Sequence, residues 1–505
     1  MYINNKILVG KNENTEANLI LRMANRHGLI TGASGSGKTI TLKVLAESFS
    51  SAGVPVMLVD VKGDLAATCK PGELNDNIKS RVEKLKLDNF DVKSFPVTFF
   101  DVFKKSGHPI RTTITNIGSR LLSRMLDLTD AQEGVLAIAF QIAEDEDKKL
   151  NDLQDLKALL TYMSEKKEEY SNIYGNIAPQ TIAAIQRNIL QLVQEGGDYF
   201  FGKPELQLYD LMQFDFNGCG FINILDAQEL FKKPTLYAVF LIWLLNNLFY
   251  NLPEVGDPER PKMVLFLDEA HLIFSEMNAN LIKQITQVVK LIRSKGVGVY
   301  FISQAPSDIP DEILSQLSNK VQHVLRSYTP NDEKAIRAAC NSFRANPAFK
   351  TDEAIKSLGT GEALVSFLTE TGEPSVVERV TILPPQSRMG TLSSEERDSV
   401  IKQSRLYGKY EMEVNEVSAQ EIVDESLAKE REAKELELKA KEEEKLRKEE
   451  EKEALKKQKE EEKAKREAEK AKKNSIGYKL GKKATNKVVN KALNQGINSI
   501  FKMFK

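Results

Sequence analysis

The sequence has few cysteines and no long apolar run, and these absences exclude several classes of protein. Its 505 residues include three widely separated cysteines, and no pair of them has the spacing of a zinc site. A disulfide framework and a cysteine metal site are therefore excluded. The longest apolar stretch, residues 236–250, contains two asparagines and is shorter than the ~20 residues that cross a bilayer. The first residues also lack the basic and apolar regions of a signal peptide. We therefore expect a cytoplasmic protein without a transmembrane segment.

The chain also has little net charge, −1, but its charges are segregated along the sequence. Residues 427–473 contain 18 Lys/Arg and 16 Asp/Glu, and residues 474–505 contain seven lysines and no acidic residue. Residues 1–426 are left with 46 basic and 56 acidic residues. Because this large part is acidic overall, it has no general attraction for nucleic acid. DNA binding there would require a local basic patch.

Residues 1–390 have the pattern of an α/β domain. Continuous apolar runs alternate with helical patterns, such as those of residues 40–50, 235–250 and 281–293. Strands that are buried on both faces of a parallel sheet have this uninterrupted apolar character. The predicted strands are Gly28–Thr31, Val54–Asp60, Val97–Val102, Gly220–Leu225, Met263–Asp268, Val297–Ser303, Val321–Ser327 and Ala363–Leu368. We predict a doubly wound α/β domain with a mainly parallel central sheet.

Two segments depart from this alternation. Residues 112–200 lack convincing strands and contain glycine and proline breaks between helical patterns, so we predict a helical insertion within the α/β domain. Residues 391–426 have a mixed composition, and we predict that they form a linker.

The carboxyl-terminal part divides into a charged segment and a basic one. In residues 427–473, Glu repeatedly precedes Lys or Arg by four residues, a spacing that stabilises an isolated helix by ~0.2–0.5 kcal/mol per pair. The leucines do not form a repeating coiled-coil seam, so we predict a solitary helical spacer, with disorder as the alternative. Residues 474–505 form a basic amphipathic pattern suited to a protein groove or an anionic membrane surface. Docking of this helix on the chain itself, or on a sister subunit, is an equal alternative.

A glycine-rich segment follows the first predicted core strand and precedes a helical pattern. It matches G-x-x-x-x-G-K-[ST] at every required position and reads Gly32, Ala33, Ser34, Gly35, Ser36, Gly37, Lys38, Thr39. Glycines allow backbone N–H groups to turn toward phosphates, and the following helix adds its positive amino-terminal end. In such loops the lysine reaches the β and γ phosphates, and the hydroxyl of the last residue binds Mg²⁺. The sequence therefore predicts that this loop binds ATP and Mg²⁺.

Two acidic residues follow another predicted strand. Asp268 and Glu269 come directly after the apolar run that starts at Met263. In a phosphate-loop enzyme, an aspartate in this position holds Mg²⁺. The next carboxylate, Glu269, is placed to orient and deprotonate the attacking water. Apolar strands that end in acids are common, but together with the glycine-rich loop this pair predicts nucleotide hydrolysis.

Further polar residues flank the predicted strands. Gln304 follows the strand Val297–Ser303 and could contact the γ-phosphate, although a surface glutamine is an equal alternative. Arg293 closes the preceding helix, where it could complement the helix dipole or reach the nucleotide of a neighbouring subunit. Lys62 and Asp64 follow the second core strand and could face a nucleotide or polymer, or form a structural turn.

Two arginine positions have less distinctive surroundings. Arg111 and the Arg187–Asn188 pair are candidate polymer contacts.

With these residues identified, the sequence resembles the HerA/FtsK branch of phosphate-loop motor ATPases. It is most similar to the YjgR-type family of HerA-like helicase-domain proteins, over about residues 20–390. The segments that carry the resemblance are Ala24–Thr39, Val59–Leu65, Gly196–Gly202, Leu291–Gln304 and Phe343–Phe349. The resemblance implies a RecA-like fold, ATP and Mg²⁺ as cofactors, and a homo-hexameric ring that threads DNA.

The resemblance also implies roles for individual residues. Lys38 and Thr39 fall on the Walker A positions, and Asp268 and Glu269 fall on the Walker B positions. Arg293 falls where these motors carry an arginine finger that acts in a neighbouring subunit. Gln304 falls on their sensor position.

Two departures from the family pattern bear on function. HerA itself begins with a small β-barrel, whereas about 27 residues precede the first core strand here, and we expect no DNA-reading winged helix of the FtsK type. Both departures bear on DNA translocation more than on ATP hydrolysis. The sequence therefore supports two hypotheses. The first is a Mg²⁺-dependent ATPase that acts as an oligomeric DNA translocase or helicase-like motor. The second is an ATP-switched scaffold that recruits a protein partner or a membrane surface through residues 474–505.

Overall fold

The computed structural model describes residues 1–277 and 279–474. Residues 1–423 form one compact unit, and the described residues from 424 onward belong to a second. Among the described helices, none combines the length and the apolar character that crossing a bilayer requires. The predicted basic amphipathic helix, residues 474–505, lies outside the described residues apart from the backbone of its first residue.

The first unit is built around a sheet in which the described residues form 13 strands. They are β1 (Tyr2–Ile3), β2 (Lys6–Lys11), β3 (Glu16–Ile20), β4 (Gly28–Thr31), β5 (Val56–Asp60), β6 (Val97–Asp101), β7 (His108–Pro109), β8 (Ile222–Asp226), β9 (Met263–Leu267), β10 (Val297–Ser303), β11 (Asn319–Gln322), β12 (Glu362–Ser366) and β13 (Glu378–Ile382). Their order is β1-β2-β13-β12-β11-β4-β10-β9-β5-β8-β6-β7, with β3 paired to β2.

The central part of this sheet is parallel. From β11 to β7, every neighbouring pair of strands runs in the same direction. All residues of β4, β5, β9 and β10 are buried, because helices cover both faces of the sheet. This burial explains the unbroken apolar runs and confirms the predicted doubly wound α/β class.

The strands beyond β11 are antiparallel, and the sequence pattern predicted few of them. Strand β12 pairs with β11 and β13, and β13 pairs with the hairpin strand β2. The strands β1 to β3 and β13 were not predicted. Residues of β1, β3 and β13 are exposed or half-buried, so these strands lack the continuous apolar run that marks a central strand. Strand β2 does contain a buried apolar run, residues 7–9, which the sequence pattern did not identify.

The helices around the core are α1 (Lys38–Ser51), α2 (Asp76–Lys84), α10 (Pro234–Asn251), α11 (Ala270–Glu276), α12 (Ala279–Ile292), α13 (Asp311–Leu314), α14 (Pro330–Asn341) and α15 (Thr351–Ser357). Helix α10 is apolar around most of its circumference, and residues on all its sides are buried. Complete burial of one large apolar side chain contributes ~1.5–3 kcal/mol. Helix α10 is therefore an internal element of the fold, and the run tolerates Asn246 because its side-chain amide donates to the Ile242 carbonyl oxygen at 2.8 Å.

The predicted helical insertion contains only helices and connecting turns from residue 114 to residue 200. They are α3 (Ile114–Ile117), α4 (Ser119–Met125), α5 (Asp130–Asp145), α6 (Leu153–Glu165), α7 (Lys167–Tyr174), α8 (Pro179–Gln194) and α9 (Gly197–Phe200). Helix α6 begins at a capping box in which the Asp152 carboxylate accepts from the backbone N–H groups of Gln154 and Asp155. This arrangement satisfies backbone donors that the first turn of a helix leaves free.

The segment predicted as a linker contains helix α16 (Ser394–Gln403). Arg397 lies 2.8 Å from Asp226 at the end of β8. Further along, the Tyr410 ring is completely buried, and its hydroxyl bonds to the Asp210 carboxylate. Residues 394–410 therefore pack on the α/β core.

The charged segment is helical, as predicted. Helix α17 (Ala419–Asn474) is 56 residues long. Three of the predicted Glu–Lys pairs form ion pairs along it, such as Glu435–Lys439 at 2.8 Å. Leu436, Leu438, Leu446 and Leu455 stay 56–62% exposed, in keeping with a helix that is stabilised by pairs on its own surface.

Candidate nucleotide site

The predicted site residues converge at one edge of the parallel sheet. Strands β4, β10, β9 and β5 are consecutive neighbours and run in the same direction. Their carboxyl ends therefore meet at the same edge, which is where ligands bind in open α/β sheets. The glycine-rich loop follows β4, Gln304 follows β10, Asp268 follows β9 and Lys62 follows β5.

The glycine-rich loop has the backbone of a phosphate cradle. Gly35 and Gly37 have φ angles of 74° and 114°, in the left-handed region that glycine adopts without strain. A Cβ atom on Gly32 would lie 2.5 Å from the Cβ atom of His323, so this position also requires glycine for space. Helix α1 starts at Lys38, and the first N–H groups of a helix are free to bind an anion.

The Lys38 ammonium lies inside this loop. Its Nζ donates to the carbonyl oxygens of Gly32 at 2.5 Å and of Ala33 at 3.1 Å. Burial lowers the pKa of Lys38, and the carboxylates of Glu269 and Asp268 oppose that shift. The buried Ser36 hydroxyl has no hydrogen-bond partner among the described residues. The loop thus presents a buried cation and an unsatisfied hydroxyl, both of which a phosphate would satisfy.

His323 supports the loop from the neighbouring strand, a role that the sequence did not reveal. Its Nδ1 lies 2.9 Å from the Glu362 carbonyl oxygen, which can only accept, so Nδ1 carries the proton. Nε2 therefore accepts from the Thr41 hydroxyl of helix α1, at 2.8 Å. Burial, with a smaller effect of Lys38, lowers the pKa of His323 to about 4. The ring is consequently neutral at physiological pH and fixes the start of helix α1.

Asp268 and Glu269 form a buried acidic pair at the end of β9. Asp268 is 4% exposed and Glu269 is 7% exposed. Burial, and then the neighbouring Glu269, raises the pKa of Asp268 to about 7. Glu269 has a left-handed backbone, with φ of 47°, which costs a non-glycine residue ~1–2 kcal/mol. Strain of this kind is concentrated at functional sites.

A turn after β5 brings Lys62 to this pair. The Asp60 carboxylate accepts from the backbone N–H groups of Lys62, Gly63 and Leu65, at 3.2, 2.7 and 3.1 Å. The turn that results places Lys62 Nζ in contact with Glu269 Oε1. The second oxygen, Glu269 Oε2, forms no hydrogen bond with the described residues, and it lies 3.2 Å from His271 Nδ1. The side chain of Lys62 therefore contacts the acidic pair, and its backbone takes part in the structural turn around Asp60.

Gln304 borders the loop on the other side. Its backbone carbonyl accepts from the N–H of Gly32 at 3.1 Å, and its side chain is exposed. The amide is thus anchored beside the glycine-rich loop and free to turn toward a bound phosphate.

Arg293 lies at the opposite edge of the sheet. It precedes β10 in a short 3-10 turn (Arg293–Lys295), whereas Gln304 follows the same strand. Its guanidinium is 43% exposed and lies 3.6 Å from Asp257. The seven residues of β10 separate the two edges by ~23 Å at 3.3 Å per residue. Arg293 therefore cannot reach the glycine-rich loop of its own chain.

The two other arginine positions differ in exposure. Arg187 is exposed on α8. Arg111 is 1% exposed, and its Nη1 donates to the Tyr410 carbonyl oxygen at 2.8 Å. The prediction that Arg111 contacts a polymer is therefore wrong, because this side chain holds residues 394–410 against the core.

The residues at this edge fit a magnesium–nucleotide complex. Among the described residues, no group of three or more His, Cys, Asp and Glu side chains is arranged to hold a metal ion alone. Mg²⁺ commonly takes one or two protein ligands and completes its shell with water and substrate phosphates. The hydroxyl of the half-buried Thr39 and the carboxylate of the buried Asp268 would be these protein ligands. The cation would also neutralise the acidic pair.

Comparison with known proteins identifies the family. The family model described as "Helicase HerA-like C-terminal" matches residues 5–504. The DNA double-strand break repair helicase HerA of Saccharolobus solfataricus is 23% identical over 377 residues, which cover 71% of this chain and 64% of the relative. The HerA of Sulfolobus acidocaldarius is 22% identical over 373 residues, covering 71% of this chain and 66% of the relative. The match thus spans slightly less than two thirds of these curated relatives.

A solved structure shows the same fold. The plasmid coupling protein TrwB, in complex with the non-hydrolysable GTP analogue GDPNP, superposes with a TM-score of 0.52 at 13% identity. The alignment covers 78% of this chain and 92% of TrwB. The chain therefore has a RecA-like α/β fold, and it belongs to the HerA-like helicase C-terminal family.

Proposed function

We propose that this member of the HerA-like helicase C-terminal family is a Mg²⁺-dependent ATP hydrolase that works as an oligomeric DNA translocase or helicase-like motor. The observation that carries the proposal is the convergence of four strand ends. It brings the glycine-rich loop, the acidic pair, Lys62 and Gln304 to one edge of the sheet. This set contains a phosphate cradle, a base and a polar contact for the γ-phosphate, which hydrolysis requires.

The first task of the site is to bind and orient the phosphates. The N–H groups at the start of α1 and of the glycine-rich loop point to the β phosphate, and Lys38 contacts the β and γ phosphates. To do so, its Nζ must leave the carbonyl oxygens of Gly32 and Ala33. Thr39 and Asp268 would hold Mg²⁺, which neutralises charge that develops on the phosphate oxygens.

The second task is to activate a water molecule. Glu269 accepts the proton of the attacking water through Oε2, which forms no hydrogen bond with the described residues and lies 3.2 Å from His271 Nδ1. Lys62 holds the other oxygen and so fixes the direction of the carboxylate. Gln304 orients the γ-phosphate or the water from the neighbouring strand.

The third task requires a second subunit. Arg293 is half-exposed at the amino edge of the sheet and cannot serve the nucleotide of its own chain. We infer that it enters the site of a neighbouring subunit in a homo-oligomeric ring, with a hexamer as the family expectation. An arginine supplied in this way contributes ~10³–10⁵ to the rate. DNA double-strand break repair in the HerA relatives supports DNA as the polymer that passes through the ring.

The test is the steady-state ATPase rate with Mg²⁺, measured alone and with double- or single-stranded DNA. Stimulation of several-fold by DNA supports the motor and identifies the strand form that it prefers. A rate above that of Lys38→Ala but indifferent to both DNA forms would contradict DNA translocation. That result would favour the ATP-switched scaffold, which recruits a protein or an anionic membrane surface through residues 474–505.

A further inference from the structure

A second cavity lies away from the glycine-rich loop. It has a volume of about 590 Å³ and is formed by residues 116–124, by the carboxyl-terminal half of α10 and by residues 284–291 of α12. Cavities that bind small ligands have volumes of ~300–1,000 Å³. The carboxyl ends of α10 and α12 lead into the amino ends of β9 and β10. The cavity therefore lies toward the edge of the sheet opposite the site that we propose for ATP.

The charge of this cavity is positive. Arg120 and Arg124 line it from α4, and no Asp or Glu is among its described lining residues. The two arginines are four residues apart, so they lie on the same face of the helix. In the amide orientation that satisfies both partners, Gln284 accepts from Nη1 and Nε of Arg124 at 3.1 and 3.0 Å. These bonds use two of the five guanidinium donors, and they aim a fixed planar cation into the cavity.

The remaining lining consists of carboxamides and aromatic rings. Beside Gln284, five carboxamide side chains line the cavity: Asn116, Asn246, Asn247, Asn251 and Gln287. A carboxamide has both donor and acceptor atoms, and this pair of functions recognises the edge of a nucleobase. Asn116, Asn246 and Asn251 each use one amide hydrogen within the protein, on Glu205, Ile242 and Asn247, and each keeps a second one. The rings of Phe249 and Tyr250 also line the cavity, and Tyr250 is 75% exposed. Exposed aromatic rings of this kind stack on bases.

One buried donor in the wall lacks an acceptor. Trp243 is 4% exposed, and its ring is fixed by edge contacts with Phe200 at 5.3 Å and by Phe240 at 6.0 Å. Its indole N–H has no hydrogen-bond partner among the described residues. This N–H group is itself buried in the wall of the cavity, and an unpaired buried donor costs ~1–3 kcal/mol in general.

We propose that this cavity binds a nucleotide, that is, a planar base attached to a phosphate, at a site separate from the glycine-rich loop. The guanidinium groups of Arg120 and Arg124 bind the phosphate, which matches their geometry. The carboxamides bind the edge of the base, and the exposed Tyr250 ring covers its face. The ligand is either a free mononucleotide or one nucleotide of a DNA strand, which share this chemistry. The inference does not rest on the motor function.

The single tryptophan of the chain provides a direct readout. Trp243 is the only tryptophan and lines the cavity, so selectively excited tryptophan fluorescence reports binding there. The full chain is titrated with dAMP, which lacks the β and γ phosphates that Lys38 would contact, and separately with a short single-stranded oligodeoxynucleotide and with inorganic phosphate. The Lys38→Ala variant is titrated in parallel, so that binding at the glycine-rich loop cannot produce the signal.

The variants localise the site. We expect a saturable fluorescence change that persists in Lys38→Ala and is weakened roughly tenfold or more by Arg120→Gln or by Arg124→Gln, since each removes a charge-assisted contact. Arg120 is exposed, so its replacement tests the site even if Arg124→Gln perturbs the fold. The matched control is Arg337→Gln, an exposed arginine of α14 outside the cavity, which should leave binding unchanged.

The titrations also separate the two sources of the ligand and can overturn the proposal. Saturation by dAMP supports a free nucleotide, and saturation by the oligonucleotide alone supports a nucleotide within a strand. No saturable change with either ligand would overturn the proposal. It would equally be overturned if the change survived both arginine replacements, or if phosphate alone gave the same change at the same concentration.

Discussion

Replacement of Asp268 by Asn should stabilise the nucleotide-free protein while it removes a ligand that we propose for Mg²⁺. Asp268 is 4% exposed and lies beside Glu269. Burial, and then this neighbouring carboxylate, raises its pKa from 3.8 to about 7. The ionised side chain therefore destabilises the folded state. Asn is uncharged and retains the side-chain oxygen that accepts from the Glu269 N–H at 2.9 Å, so the substitution removes the charge and keeps the hydrogen bond.

The size of the effect follows from the pKa difference. A carboxyl whose pKa rises from 3.8 to about 7 on folding costs about 4 kcal/mol above pH 7, since each pKa unit corresponds to ~1.4 kcal/mol. This cost is absent below pH 3.8, grows as the pH rises toward 7 and is constant beyond. At an unfolding entropy of ~2.1 cal/mol/K per residue, the 423-residue unit should gain roughly 4–5 °C in Tm at pH 8, and less than half of that at pH 5.

The assay is thermal unfolding in EDTA, without nucleotide, at pH 5 and pH 8. Asp91→Asn is the control, because Asp91 is an exposed loop residue whose neutralisation should leave Tm nearly unchanged. An Asp268→Asn variant that is no more stable than the wild type at pH 8 would refute the reasoning. So would a gain in Tm of equal size at both pH values.

Three further predictions concern turnover. Glu269→Gln should retain ATP binding and lose most hydrolysis, because the amide cannot accept the proton of the water. Filter binding measures the ATP binding and phosphate release measures the hydrolysis; normal turnover would show that Glu269 is not the base. Arg293→Ala should bind ATP without hydrolysing it, and activity should return on mixing with Glu269→Gln subunits; failure of both results would leave Arg293 as a partner of Asp257. Lys62→Met should move the acidic limb of the pH–rate profile to higher pH, because the Lys62 charge lowers the pKa of Asp268; Lys62→Arg is the control, and an unchanged profile would contradict the contact.

The parts of the fold that the sequence predicted are those that a local pattern determines. Strands β4 and β10 occupy the predicted residues, Gly28–Thr31 and Val297–Ser303, because each is buried on both faces and therefore continuously apolar. The strand predicted at residues 321–327 is β11 (Asn319–Gln322) instead. It ends earlier because His323 turns toward helix α1, a constraint set by a residue almost 300 positions away.

The site shows the same division between local and distant information. The glycine-rich loop and the acidic pair follow from contiguous motifs. The contact between Lys62 and Glu269 joins two loops that are 207 residues apart, and only the order of β5 and β9 in the sheet brings them together. The left-handed backbone of Glu269 also has no signal in the sequence, since glutamate rarely adopts it.

The second cavity could not have been found from the sequence. Its walls come from three separate segments, between residues 116 and 291, and none of them contains a recognisable motif. The asparagines of α10 interrupt an otherwise apolar helix. That interruption was the one local signal, and in the sequence it served only to exclude a membrane span.

The measurement that tests the central claim most directly is Mg²⁺-dependent phosphate release from ATP by the wild type beside Lys38→Ala. Lys38 is the buried cation of the glycine-rich loop, so its removal should abolish turnover, and EDTA should do the same to the wild type. A Lys38→Ala variant that hydrolyses ATP at the wild-type rate would contradict the assignment of the site.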